Sequence, residues 1–70
     1  MKLIPNNTVV CDHPADPWIG RSYVAETGDF IEITQDRKGF HGRLNERETI
    51  RNQESLVAIV EWLEKLIGAR

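Results

Sequence analysis

Apolar residues recur at helical spacing in one place only, from Asn52 to Leu66 near the C-terminus. At about 100° per residue, Leu56, Ile59, Val60, Leu63, Leu66 and Ile67 fall within an arc of about 120°, a single core-facing stripe. Glu61, Glu64 and Lys65 lie opposite. The pattern predicts a helix over about residues 53–67. Asn52 is positioned to accept from the first free backbone N–H groups, Glu54 adds charge at the positive end of the dipole, and Gly68 supplies a stop. Trp62 falls about 40° outside the stripe with Ala58 beside it, and Val57 lies on the polar flank, so the apolar band is wider than one small sheet requires. Either Trp62 packs beneath the N-terminal loop of its own chain, or Val57, Ala58 and Trp62 meet a second subunit or a partner.

The remainder alternates with a period of two. Phe30, Glu32 and Thr34 share one face and Ile31 and Ile33 the other, which turns the isoleucines toward the helix. Thr27-Gly28-Asp29 joins this strand to Ser22–Glu26 as a hairpin with glycine at positive φ. A second connection, Gln35 to Gly39, leads into Phe40–Leu44, where Gly42 in mid-strand marks a bulge or the close approach of another backbone. Asn45 to Glu48 reads as a turn, and Thr49 and Ile50 as a last short strand. At the other end Leu3-Ile4 and Thr8–Cys11 are broken by Pro5-Asn6-Asn7, which gives one interrupted edge strand or two short ones. Asp12 to Gly20 has loop chemistry, with Pro14, Pro17 and two aspartates. Trp18 within it is a lid over the core or an exposed anchor for a partner. These elements predict an α+β fold, a small antiparallel meander of three to four strands covered on one face by the C-terminal helix, in one domain spanning residues 1–70.

Composition adds a constraint. Seventy residues, 40% hydrophobic and 29% charged, make a globular chain with a small core. Chains of this size usually add disulfides, a metal or a subunit. A single cysteine, Cys11, leaves oligomerisation as the supplement, with a homodimer expected, and points to a reducing, cytoplasmic setting. No apolar run reaches the 18 to 20 residues of a membrane span. The net charge of −2 is unevenly spread: residues 1–36 carry two basic against six acidic side chains, and residues 37–51 carry five basic against two acidic. Cross-strand pairing of opposite charges accounts for that alternation equally well as a binding surface does.

Chemistry is sparse. Cys11, Asp12, His13, Asp16 and His41 are metal-ligating types, but Cys-x-His fits no paired zinc spacing. Cys11 with a histidine lacks a third group to orient the base, and no glycine-rich phosphate loop occurs. The expectation is a protein that is not an enzyme, with no cofactor and no metal. Two binding readings remain. The first is a small protein-interaction module or inhibitor that uses Trp18, Val57, Ala58 and Trp62 against a protein partner or a second copy, self-associating through its C-terminal helix. The alternative is a nucleic acid reader, with Arg37, Lys38, His41, Arg43, Arg47 and Arg51 of the segment 37–51 presented to DNA by a small sheet.

Overall fold

The computed structural model describes residues 2–69. Five strands run in sequence order across one antiparallel sheet: β1 (Leu3–Cys11), β2 (Trp18–Ala25), β3 (Phe30–Asp36), β4 (Gly39–Leu44) and β5 (Glu48–Gln53). The helix α1 (Leu56–Gly68) follows and lies chiefly over β4 and β5. The α+β meander is as expected. The strand count is five rather than three to four, because the weakly patterned segments at both ends of the sheet pair, Leu3–Cys11 as β1 and Glu48–Gln53 as β5.

Short connections force this order. At the β2–β3 hairpin Gly28 N–H donates to Ala25 C=O and Ala25 N–H to Asp29 C=O, both at 2.9 Å, with Gly28 at φ 89°. That is the positive φ a glycine accepts without steric cost. The β4–β5 turn closes with Arg47 N–H on Leu44 C=O at 3.0 Å, and both central residues, Asn45 and Glu46, have positive φ (51° and 59°). Two such residues twist the turn to match the strands it joins. Asn45 also locks the two turns together: its Oδ1 accepts from Phe30 N–H at 2.8 Å and its Nδ2 donates to buried Asp29 at 2.8 Å. Thr27 Oγ1 donates to the other oxygen of Asp29.

The core is small and lies under the helix. Ala25, Ile31, Ile33, Leu44, Ile59 and Leu63 are its buried apolar side chains among the described residues. Ile31 pairs with Leu44 and Ile33 with Gly42 across β3–β4, so Ile31 and Ile33 do face the helix. Of the two expectations for Gly42 the irregularity is present, while what approaches closely is helix and strand side chains rather than another backbone. The β4–β5 register shifts between Phe40 and Gly42, and a Cβ on Gly42 would stand 3.0 Å from Ile59 Cγ2 and 3.2 Å from Trp62. The missing side chain is what lets the helix come down onto β4.

The helix limits differ from the periodicity. It spans 56–68 rather than 53–67, and its N-cap is Ser55, whose Oγ accepts from Ala58 N–H at 3.3 Å. Asn52 is held by the sheet instead, at φ 57° in the β5 irregularity. Gly68 does not stop the helix through a left-handed turn: it lies in the last turn, and the cap is Ala69 in right-handed geometry. At the other end β1 is one strand, with its irregularity between Pro5 and Asn7, and it forms the sheet edge as expected. The loop is shorter than its composition implies, because Trp18, Ile19 and Gly20 pair with Cys11, Val10 and Val9 and belong to β2. The molecule is elongated, 40 × 22 × 19 Å.

Candidate functional site

The helix occupies one face of the sheet, and the opposite face is open. Paired strand residues share a face, and the registers place Val9, Trp18, Phe30, Glu32, Thr34, Asp36, His41 and Arg43 on the open one. Its two halves differ in character.

Toward β1 the face is apolar. The Trp18 ring lies on Gly20, with Cζ3 3.1 Å from where a Cβ would stand, so one indole surface packs on backbone and the ring remains partly exposed. A groove of about 440 Å³ runs beside it, with Val9, Trp18 and Phe30 as its apolar wall and Asn6, Asn7, Ser22, Glu32 and Thr34 as its polar one. The edge strand exposes Ile4 and Val9 on this face at 53% and 49%, and Val10 on the helix-side face at 57%. The far end of β1 lacks a helix over either face.

Toward β5 the face is charged, and the pairing of its side chains is specific. Arg43 stands opposite Glu32 and holds both carboxylate oxygens, with Nε and Nη2 donating at 3.0 to 3.2 Å. His41 Nε2 meets Asp36 Oδ1 at 2.9 Å, while His41 Nδ1 accepts from Asn52 N–H at 3.0 Å. With Nδ1 accepting, the proton of the neutral ring sits on Nε2 and is donated to Asp36. That bond is the largest cause holding the Asp36 carboxyl below its ordinary value, and Lys38 N–H on the same oxygen at 2.8 Å adds to it. Both nitrogens of His41 are therefore used within the fold. Cys11 and His41 lie three strands apart, about 14 Å at the usual strand spacing, too far for a nucleophile and its base. His13 Nδ1 accepts from Ala15 N–H at 3.2 Å in the β1–β2 loop. Among the described residues no three metal-ligating side chains come together, and no helix is long and apolar enough to cross a membrane.

Comparison with protein-family models, with curated proteins and with solved structures gives no match. The side chains themselves therefore carry the functional argument.

The residues proposed from the sequence are dispersed. Trp62 and Ala58 are partly buried, with Trp62 over Gly42 rather than beneath an N-terminal loop. Val57 is 63% exposed beside exposed Leu56 on the first helical turn. Trp18 stands on a strand. Of the basic residues, Arg37 and Lys38 sit in the β3–β4 turn, where Arg37 donates to Pro14 C=O at 3.4 Å, and Arg47 sits in the β4–β5 turn at the opposite end of the sheet. Arg43 is paired, and Arg51 borders the charged groove. The contacts of Glu32, Asp36 and Asn52 were not foreseeable from the sequence, since they depend on cross-strand register rather than on local pattern.

Proposed function

We propose that this chain is a small protein-interaction module without catalytic activity, and that its contact surface is the open end of β1 and β2, with a second copy of the chain as partner. The observation that supports the reading is the edge strand. It runs nine residues, carries Val9 and Val10 about half exposed, and has no strand outside it among the described residues. An open edge presents unpaired N–H and C=O groups, and natural proteins usually blunt it. Here Pro5 and the irregularity at Pro5–Asn7 blunt the first half, leaving Thr8–Cys11, with three β-branched residues, regularly paired to β2.

That segment suits itself as a partner. An antiparallel pairing centred on Val9 sets Val9 against its own copy and Thr8 against Val10. Thr8 and Val10 share the helix-side face, since they pair with Arg21 and Ile19 of β2, so such a pairing keeps the two sheets in phase. Trp18 and Val9 would then extend across the join on the open face. The surface is small, so association is weak and concentration-dependent.

Sedimentation velocity across a concentration series tests the reading. The wild type is expected to shift toward dimer as concentration rises. Val9→Lys, which sets two ammonium groups opposite each other, is expected to remain monomeric. A wild type that is monomeric throughout, or a Val9→Lys variant that dimerises equally, sinks it.

A further inference from the structure

The charged half of the open face has a surplus of hydrogen-bond donors, which the interaction reading does not use. It forms a groove of about 460 Å³ between β3, β4 and β5. Two carboxylates line it, and both are already held: Glu32 by Arg43, and Asp36 by His41 and by Lys38 N–H. The other polar side chains on the lining are Thr34, Lys38, Thr49, Arg51 and Asn52. Lys38 and Arg51 have no carboxylate partner among the described residues. One ammonium, one guanidinium, two hydroxyls and an amide thus border a single groove in which Arg43 neutralises Glu32 and Asp36 Oδ1 accepts from His41 and Lys38 N–H.

We infer that this groove is an oxyanion site, and that its ligand is a phosphate-bearing molecule seated between Lys38 and Arg51. A planar guanidinium suits two oxygens of one phosphate, and an ammonium adds a point charge. Thr34 and Thr49 donate to the remaining oxygens. The Asp36–His41–Asn52 chain contributes by position. It engages the one carboxylate next to Lys38 and fixes the backbone of Asn52, which follows Arg51. The groove is larger than one phosphate group and admits the rest of the ligand. Its Lys38 and Arg51 lie on β3–β5 away from the β1 edge, while Glu32 and Thr34 line both grooves.

The same phosphate chemistry is offered by a small phosphorylated molecule and by a nucleic acid backbone, and two titrations followed by amide NMR separate them. One uses pyrophosphate and the other a short single-stranded oligodeoxynucleotide. Saturable shifts confined to Thr34, Lys38, Thr49, Arg51 and Asn52 are expected with pyrophosphate. Arg51→Gln or Lys38→Gln is expected to weaken them about tenfold, while Lys65→Gln on the helix leaves them unchanged. Both groove variants alter exposed side chains, and an unchanged melting temperature confirms that they fold. Pyrophosphate binding as tight as the oligonucleotide's assigns a small ligand. Oligonucleotide binding at the same residues, far tighter and steeply weakened by salt, assigns the site to a nucleic acid backbone. Shifts that fail to saturate with either probe, that spread evenly to Arg47 and Lys65, or that persist in Arg51→Gln overturn the site.

Discussion

Strands β3 to β5 and the far end of β1–β2 belong to one sheet, yet they are stabilised differently. In the first region Ile31, Ile33 and Leu44 are closed over by Ile59 and Leu63, and Gly42 draws the helix close. In the second, Val9 and Val10 remain about half exposed, and backbone pairing to β2 does most of the holding. Ala25 in the core, with Leu3 and Tyr23 packed against it, joins this far end of β1–β2, the wing, to the braced region. Burial of apolar area is the dominant favourable term in folding. The braced region therefore sets global stability, and the wing is left available for contact.

The sharpest way to break this contrast is to empty the braced side. Leu63→Ala removes a fully buried side chain and is expected to cost about 2–5 kcal/mol, read as a fall in the urea midpoint. Overfilling it comes next. Gly42→Val drives a branched side chain into Ile59, Ile50 and Trp62, with an expected loss of about 1–3 kcal/mol and a change in Trp62 fluorescence. Ser55→Ala removes the helix cap and should lower stability by about 1 kcal/mol in the same assay. On the wing, Val9→Lys should change stability by no more than about 0.5 kcal/mol, although it is the variant expected to abolish self-association.

Acid sharpens the comparison from the charged half. The Asp36 carboxyl titrates below its ordinary value of 3.8, chiefly through the His41 hydrogen bond. A depressed folded value means the contribution is complete above 3.8 and is lost as pH falls below it, through the lowered value. Urea midpoints of wild type and Asp36→Asn should converge as pH falls from 5 to 2. Curves that stay parallel would show that the contact adds nothing to folding.

Where burial is one-sided, the pattern was legible. Ile31 and Ile33 alternate with Glu32 and Thr34, and the helix stripe named Ile59 and Leu63. The wing was legible only in part: Thr8–Cys11 read as an edge strand, but its faces and the start of β2 did not, because neither face of its far end is covered. Thr8, Val9 and Val10 run consecutively, without the alternation that one-sided burial imposes, and proline and aspartate composition hid the start of β2 at Trp18. Asn52 and Ser55 are both capping residue types three positions apart, and the choice fell to the sheet, which uses Asn52 N–H to fix His41. The Glu32–Arg43 pair lies eleven residues apart in sequence. Alternation placed each on a face, but only register brings them together.

Amide hydrogen exchange at low and high protein concentration tests the division of the sheet most directly. Amides of β3, β4 and α1 are expected to exchange only through global unfolding at both concentrations. Amides of Thr8–Cys11 are expected to open faster when dilute and to gain protection when concentrated. Protection of Thr8–Cys11 equal to that of β4, and independent of concentration, would contradict both the open wing and its proposed use.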